Sequence, residues 1–277
     1  MGIIAKYLLR HGKTFMKKTT INTIKKLKND RPIVMVTAYD ALFAKLFDEY
    51  ADVLLVGDSL NTSFMGQADT INATLEQMIY HTKAVCNGRK KALVVCDMPF
   101  GSYLNEQDAL KNATRVYQES SADAVKIEGG VERAHIIKAL TQNSIAVVGH
   151  IGLMPQYVRS DGGYIVRGKD EASIEQLIAD AKAIEEAGAF CIVLEGVKAE
   201  ASKRIATSVS VPVIGIGAGA DVDGQVLVWS DMLGLFEEFT PKFVREYLNG
   251  AELVKDALKR YSEDVKSKQF PSNEESY

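Results

Sequence analysis

Eight short runs of mainly apolar, often β-branched residues recur along the sequence, and most are followed by a segment with helical periodicity. The runs are residues 33–39, 52–58, 92–98, 124–128, 145–151, 191–197, 212–218 and 225–231. They are almost continuously apolar, which is typical of parallel strands that are covered by helices. Eight such units predict an α/β fold, a (β/α)8 TIM barrel in a single domain.

A doubly wound open sheet is the main alternative to the barrel. That fold normally carries a glycine-rich fingerprint directly after its first strand, and residues 37–45, TAYDALFAK, contain no glycine. A chain of 277 residues is also within the usual length of one barrel. The sequence therefore favours the barrel.

Three segments make up the predicted domain organisation. Residues 1–15 are an extension of uncertain origin, because the second methionine, Met16, opens a natural chain start followed by an N-terminal helix. Residues 16–262 form the barrel, and residues 263–277 form a polar tail. The pattern of residues 241–268 predicts a long C-terminal helical extension of the barrel.

The composition is that of a soluble globular protein, with 47% hydrophobic and 25% charged residues. No apolar run reaches the roughly 18 to 20 residues that a membrane span requires. The net charge of −3 lacks the basic surplus of a nucleic-acid-binding protein. Cys86, Cys96 and Cys191 have no metal-type spacing, and the last two lie in apolar runs. These features predict reduced thiols and a cytoplasmic protein.

Polar residues that could take part in catalysis or binding lie at the carboxyl ends of the strand-like runs. They are Asp58 and Ser59, Asp97, Lys126 and Glu128, His150, and Glu195. Barrel enzymes place their active sites at this end of the strands. Several acids at one barrel mouth would repel one another, and a hard divalent cation with oxygen ligands is the simplest way to hold them.

Individual residues differ in how strongly they indicate function. Lys126 and Glu128 lie two residues apart, so they share a face of their strand, where a buried charge needs a partner. Glu195 follows an apolar run on another strand, where partial burial raises the pKa of a carboxyl toward that of a general base. His150 fits equally well a hydrogen-bond partner of the site or a core histidine. Asp40 precedes a helical segment and is best explained as its N-cap.

Structural roles stay open for three of the acids. Asp58 and Asp97 would also suit a turn or a helix N-cap, and Glu128 would also suit a partner for Lys126 or an acid at the N-terminus of the next helix. His81 lies in the middle of a helical segment and is predicted to be structural.

Two long connections follow predicted strands, residues 61–74 and residues 152–170. Long loops in compact domains are usually functional, so both are expected at the active site. The glycine-rich stretch GIGAG, residues 215–219, is a weak phosphate-binding signal, and close backbone packing explains it equally well.

Ten segments, in order and spacing, resemble the ketopantoate hydroxymethyltransferase family over about residues 16–262. They are TAYDALFAKLFDE, LLVGDSL, MIYHTKAV, DMPFGSY, KIEGG, GHIGLMPQ, GGYIVRGK, VLEGV, PVIGIGAG and DGQVLVWSDMLGL. The resemblance implies a Mg²⁺-dependent barrel that transfers a hydroxymethyl group from 5,10-methylenetetrahydrofolate to 3-methyl-2-oxobutanoate. The product would be 2-dehydropantoate, a precursor of pantothenate. The resemblance also implies a homo-oligomer, a homodecamer.

The same resemblance assigns roles to residues that match the family motifs. The implied metal ligands are Asp58, Asp97 and Glu128. The implied 2-oxo acid contacts are Asp58, Ser59, Asp97 and Lys126. Glu195 is the implied proton acceptor, and His150 would lie near the substrate.

One departure from the family pattern falls in the first long loop. Asn61 stands where the family usually has glycine, and the segment before the next helix lacks the usual proline. Two other hypotheses remain: a Mg²⁺-dependent aldolase or lyase that acts on another 2-oxo acid, and a structural barrel that assembles into rings.

Overall fold

The computed structural model describes residues 18–277, and its centre is a closed barrel of eight parallel strands in sequential order. The strands are β1 Ile33–Thr37, β2 Val53–Val56, β3 Leu93–Asp97, β4 Ala124–Glu128, β5 Val147–Gly152, β6 Cys191–Glu195, β7 Val213–Ile216 and β8 Gly224–Leu227. The predicted TIM barrel is confirmed. The predicted extension at residues 1–15 lies outside the described residues.

Helices follow most of the strands on the outside of the barrel. They are α1 Ile21–Leu27, α2 Ala41–Phe47, α3 Leu60–Ser63, α4 Leu75–Gly88, α5 Glu106–Ser120, α6 Ala134–Gln142, α7 Val158–Asp161, α8 Glu171–Glu186, α9 Ala199–Ser208, α10 Trp229–Met232 and α11 Gly250–Lys266. Single 3-10 turns occur at Val131–Arg133, Pro155–Tyr157 and Asn273–Glu275. None of the helices described in residues 18–277 is both long and apolar enough to cross a membrane.

Polar side chains at helix N-termini explain why several helices begin where they do. Asp40 accepts hydrogen bonds from the backbone N–H groups of Leu42 and Phe43, which confirms it as the N-cap of α2. Thr74 and Gln77 form a reciprocal capping box at the start of α4. Each cap satisfies backbone donors that the helix itself leaves unpaired.

The alternation of side chains along each strand divides the apolar residues into two cores. In β3, Leu93 and Val95 belong to the core inside the barrel, whereas Val94 and Cys96 belong to the core between barrel and helices. Strand β6 repeats this pattern, with Cys191 inside the barrel. The predicted burial of both cysteines is confirmed. The last residue of each of these strands, by the same alternation, faces the barrel interior.

Helix α1 closes the amino-terminal end of the barrel. Ile24 and Leu27 are buried in the same core as the interior strand residues. Lys28, just after α1, lies 2.8 Å from the carboxylate of Asp223 and donates to the Ala206 carbonyl. Helix α1 therefore covers the end of the barrel opposite the carboxyl ends of the strands.

Two predicted elements differ from the structure near the C-terminus. The eighth strand was expected over residues 225–231, but it ends at Leu227, and Trp229–Met232 form one helical turn. The helix expected over residues 241–268 begins only at Gly250 and ends at Lys266. Gly250 marks this start because its backbone packs against the Leu233 carbonyl, too closely for a Cβ atom.

Candidate active site

Strands β3 to β6 carry charged and polar residues to one cavity at the carboxyl end of the barrel. The residues on these strands that line it are Asp97, Lys126, Glu128, His150, Val193 and Glu195. Register places Asp97 beside Lys126 and Glu128 beside His150. Asp58 and Ser59, directly after β2, line the same cavity. The structure therefore brings together all seven residues that the sequence singled out.

Lys126 lies at the centre of this group and is only 4% exposed. Its ammonium nitrogen is 3.3 Å from Asp97 Oδ2 and 3.7 Å from Glu128 Oε1. Burial alone would lower the pKa of Lys126, but the charges of Asp97 and Glu128 raise it above its ordinary value. Lys126 therefore stays positively charged inside the barrel mouth.

His150 connects Lys126 to Glu195. Its Nδ1 atom is 3.0 Å from the Lys126 ammonium, and its Nε2 atom is 3.5 Å from Glu195 Oε2. Burial and then the charge of Lys126 lower the pKa of His150, so the imidazole is neutral. An ammonium can only donate, so Nδ1 accepts and Nε2 carries the proton. Of the two roles left open for His150, the structure favours a hydrogen-bond partner within the site.

Asp58 and Asp97 meet where β2 and β3 end. The backbone N–H of Asp58 donates to Asp97 Oδ2 at 3.1 Å. Burial raises the pKa of both carboxyls, and the charge of Asp97 raises that of Asp58 further. Asp58 is not a helix cap, because the helix after β2 has Ser59 at its N-cap position.

Glu128 lies deep in the site and is 1% exposed. Burial would raise its pKa, but the charge of Lys126, 3.7 Å from Oε1, and the Gln156 backbone N–H, which donates to Oε2, act to hold the pKa of Glu128 below its ordinary value. The neighbours of Glu128 therefore favour its ionised form. It has more partners than the simple pair with Lys126 that the sequence left open.

Gln156 is a site residue that the sequence analysis did not name. Its Nε2 donates to Asp58 Oδ2 at 2.8 Å and to the Met98 carbonyl at 2.9 Å. Its Oε1 accepts from the Tyr103 hydroxyl at 2.5 Å, and its backbone N–H donates to Glu128 Oε2 at 3.0 Å. Gln156 therefore links Asp58, through its side chain, to Glu128, through its backbone N–H.

Signals for Gln156 were present in the sequence. It ends the GHIGLMPQ segment and lies in the connection of residues 152–170, which was expected at the active site. A glutamine in a loop does not by itself show which groups its amide reaches. That information depends on the 3-10 turn Pro155–Tyr157, which lies over the barrel mouth.

Ser59 is held by Tyr39, which follows β1 and is among the polar residues at the strand ends, although the sequence assigned it no role. The Tyr39 hydroxyl lies 2.8 Å from Ser59 Oγ, and burial raises the pKa of Tyr39 to about 12. His81 Nδ1 is 2.7 Å from the Tyr39 carbonyl oxygen, so the imidazole donates to the backbone there. This contact supports the structural role predicted for His81.

The first long loop also reaches the cavity, through Thr70. Asn61, the departure from the family pattern, is buried, and its side-chain amide donates to the Asp69 carbonyl at 2.9 Å. This hydrogen bond holds the start of the loop, at Asn61, to Asp69, the residue directly before Thr70.

Glu195 lies at the rim of the site, with one fifth of its side chain exposed. Burial and then the negative charge of Glu128 raise the pKa of Glu195 to about 8. A carboxyl with this pKa can accept a proton from carbon more readily than an ordinary one, because its ionised form is more basic. The local geometry therefore suits a general base that faces the cavity.

The three acids Asp58, Asp97 and Glu128 have the chemistry of a site for a hard divalent cation. Asp97 Oδ1 and Glu128 Oε1 are buried without a hydrogen-bond donor, and Lys126 is the cation next to both carboxylates. Within residues 18–277, no three His, Cys, Asp or Glu side chains are already arranged to hold a metal ion. The donor set fits Mg²⁺ in chemistry and charge.

Comparisons with known proteins show the family of this chain. The model of the family described as ketopantoate hydroxymethyltransferase matches residues 18–273. The chain belongs to the ketopantoate hydroxymethyltransferase family. Among its relatives, 3-methyl-2-oxobutanoate hydroxymethyltransferase of Aliarcobacter butzleri is 64% identical over 265 residues, 96% of this chain and 98% of the relative. The protein of that name from Sulfurimonas denitrificans is also 64% identical, over 94% of this chain and 99% of its own.

Solved structures similar to this member of the ketopantoate hydroxymethyltransferase family share its fold at low sequence identity. A 2,3-dimethylmalate lyase, a PEP mutase/isocitrate lyase superfamily member, matches with a TM-score of 0.59 and 16% identity, over 93% of this chain and 92% of that one. Phosphonopyruvate hydrolase matches with a TM-score of 0.60 and 13% identity, over 94% and 93%. At these identities the similarity concerns the barrel alone.

Proposed function

We propose that this protein transfers a hydroxymethyl group from 5,10-methylenetetrahydrofolate to 3-methyl-2-oxobutanoate, which yields 2-dehydropantoate and tetrahydrofolate. Membership of the family supports the choice of substrates. The structural observation that carries the chemistry is Glu195, whose pKa of about 8 suits a base, at the rim of the cavity that contains Lys126.

The anionic 2-oxo acid binds on the side of the cavity formed by β2 to β4. Lys126 is the buried cation there, and it attracts the substrate carboxylate or the oxygen on which negative charge develops. The Ser59 hydroxyl, held by Tyr39, adds a hydrogen bond to the bound acid. Asp58 and Asp97 line this part of the cavity, and their negative charges favour the protonated form of Lys126.

Asp58, Asp97 and Glu128 would hold Mg²⁺. When bound, the ion supplies Lewis-acid stabilisation of negative charge on the substrate's keto oxygen. The buried oxygens of Asp97 and Glu128 that have no hydrogen-bond donor support this role.

Glu195 removes the proton from C3 of the substrate. One C–N bond of the folate one-carbon unit opens with its electron pair on nitrogen, and the electron pair of the broken C–H bond forms the new C–C bond to that unit. Water then supplies the hydroxyl oxygen as the second C–N bond breaks, and its proton goes to the nitrogen of the departing tetrahydrofolate. His150 Nε2 lies 3.5 Å from Glu195 Oε2, close enough to interact with it electrostatically, while His150 Nδ1 accepts from Lys126. The loops that carry Thr70 and Pro155 border the cavity and limit access of water to the reacting carbon.

Replacing Gln156 with leucine is expected to raise the Mg²⁺ concentration required for half-maximal activity by about 10- to 100-fold. A buried hydrogen bond to a charged group contributes about 1.5–3 kcal/mol, and leucine removes the donor to Asp58. Its backbone N–H still reaches Glu128, so that contact persists. Activity as a function of Mg²⁺ concentration measures the effect. Gln67→Leu, at an exposed loop position, is the control, and an unchanged Mg²⁺ requirement in Gln156→Leu would contradict the role of Gln156.

One assay tests the proposed function directly. Purified protein is incubated with 3-methyl-2-oxobutanoate, 5,10-methylenetetrahydrofolate and Mg²⁺, and 2-dehydropantoate is measured. We expect product only when all three are present, and none after chelation by EDTA. Carbon–carbon bond cleavage of a 2-oxo acid substrate without folate would instead favour the lyase hypothesis, and no product at all would refute the transferase.

We also propose that the chain assembles into a homo-oligomer, a homodecamer as the family resemblance implies. Helix α11 supports this proposal because its apolar side chains, including Leu253, Leu258 and Tyr261, are exposed. An apolar helix face of this kind is usually covered by another protein surface.

A further inference from the structure

Asp231 is a carboxylate in the reaction cavity to which neither the proposed mechanism nor the family motifs assign a role. It lies in the single-turn helix α10, just after β8, and lines the same cavity as Glu195. Within the described residues no hydrogen bond or ion pair involves its side chain, and burial alone raises the pKa of Asp231 to about 6. The carboxylate is thus ionised at neutral pH and free to accept hydrogen bonds from a ligand.

The surroundings of Asp231 differ from the rest of the cavity. Val228 and Phe243 line this part, and they form an apolar wall next to the carboxylate. The Phe243 ring lies over the backbone of Gly217, where an added Cβ would come within 3.1 Å of it. Because Gly217 has no side chain, the Phe243 ring can pack against the backbone at the end of β7.

Strand order places this wall across the barrel from the charged cluster. The barrel closes in sequential order, so β8 is four strands away from β4, which carries Lys126 and Glu128. A carboxylate next to an apolar wall repels the anionic 2-oxo acid. The carboxylate and the apolar wall together suit a flat ligand that has hydrogen-bond donors on one edge.

We propose that Asp231 binds the 2-amino-4-oxo edge of the folate pterin ring, with Phe243 and Val228 against the ring. This proposal rests on the proposed function, because it assigns a site to the co-substrate of that reaction. The pterin edge presents the N3–H and 2-amino donors side by side, which matches the two oxygens of a carboxylate. An aromatic side chain favours contact with a planar ring. The folate and the 2-oxo acid then occupy opposite sides of the barrel mouth.

Binding of tetrahydrofolate, without a one-carbon unit and without the 2-oxo acid, tests the proposal independently of turnover. Trp229, the one tryptophan of the sequence, is two residues from Asp231, so its fluorescence reports on ligand binding nearby. We expect Asp231→Asn to weaken tetrahydrofolate binding by about 10- to 100-fold, the size of a lost charged hydrogen bond. Binding of 3-methyl-2-oxobutanoate with Mg²⁺, measured by calorimetry, is expected to stay within about twofold of wild type.

A control variant and a ligand analogue make this binding test specific for Asp231. Asp221→Asn, an exposed aspartate in the loop between β7 and β8, is the matched control and should bind tetrahydrofolate as wild type does. A tetrahydrofolate analogue that lacks the 2-amino group should bind wild type more weakly, but should lose little further affinity in Asp231→Asn. The analogue experiment on wild type also requires no variant to fold.

Unchanged tetrahydrofolate binding in Asp231→Asn would overturn the proposal. Equal weakening of both substrates would overturn it as well, because Asp231 would then support the cavity and not the pterin. A wild-type protein that forms 2-dehydropantoate while Asp231→Asn binds tetrahydrofolate normally refutes this inference alone. A wild-type protein that binds tetrahydrofolate but forms no product refutes the proposed function.

Discussion

Replacing Glu195 with glutamine is expected to lower kcat by about 10²- to 10⁴-fold, the usual contribution of a general base. Glutamine is nearly isosteric with glutamate but cannot take a proton from carbon at neutral pH. The His150 Nε2–H that faces Glu195 can still donate to the amide oxygen, so the cavity keeps its shape. Steady-state kinetics should therefore show a loss in kcat with little change in KM for the 2-oxo acid.

The pH profile provides a second measurement of the same role. Burial raises the pKa of Glu195 to about 8, so the carboxyl is mostly protonated below that pH, where it cannot act as a base. For the wild type, kcat/KM should therefore rise by about tenfold per pH unit below pH 8 and level off above it. Glu195→Gln should lose this rise.

An exposed glutamate on the neighbouring helix gives the control for both measurements. Glu200→Gln, in α9, should keep the activity and the pH profile of the wild type. A Glu195→Gln variant that retains more than about a tenth of wild-type kcat, well above what loss of a general base leaves, would exclude Glu195 as the base.

Replacing Asp97 with asparagine is expected to weaken the Mg²⁺-dependent binding of 3-methyl-2-oxobutanoate by about 100- to 1,000-fold. Loss of one partner from a buried charged group costs about 3–5 kcal/mol. Asp97 accepts the Asp58 backbone N–H, lies 3.3 Å from the Lys126 ammonium, and has a buried oxygen without a donor. Asparagine removes the negative charge that all three features require. Calorimetric titration of the 2-oxo acid with and without Mg²⁺ measures the change.

Asp30→Asn is the control for this second substitution. Asp30 is exposed beside α1, at the closed end of the barrel, so its loss should not affect binding. Thermal unfolding of both variants separates a loss of binding from a loss of the fold. A folded Asp97→Asn variant that binds the 2-oxo acid with unchanged Mg²⁺ dependence would show that the acids on β2 and β4 hold the metal without Asp97.

The barrel itself was predictable because its signal is repeated and local. Each strand is a short apolar run buried on both faces, and such runs separated by helical segments fit few architectures. Boundaries were less predictable at the C-terminal end. Residues 229–231 directly follow the apolar run of β8 and were expected to continue it, but their backbone forms a helical turn whose first residue, Trp229, donates its N–H to the Thr37 hydroxyl. A contact between β1 and the segment after β8 leaves no local trace in the sequence.

Much of the charged cluster was predictable for a related reason. Parallel strands in a barrel end at the same face, so polar residues at their carboxyl ends have to converge there. The alternation of side chains along a strand is enough to place Lys126 and Glu128 on one face of β4. Whether His150 joins them or packs in the core depends on the register between β4 and β5, which places it beside Glu128.

Gln156 and Asp231 were not predictable in the same way. Both lie in irregular segments, where neither strand alternation nor helical periodicity states which way a side chain points. Gln156 reaches Asp58 only because its loop folds back across the mouth from β5 to β2. Asp231 enters the cavity only because β8 ends early and the chain turns into α10.

The sequence by itself therefore determined the architecture, the open end of the barrel and the set of acids and the lysine that meet there, because these follow from local hydrophobic patterns repeated eight times. The tertiary structure alone decided how those groups are paired, which of them become neutral or charged, and which loop residues complete the cavity. Pairing and protonation depend on distances of a few ångströms between residues far apart in the chain, and the burial that sets the pKa of Glu195 exists only once the barrel has closed.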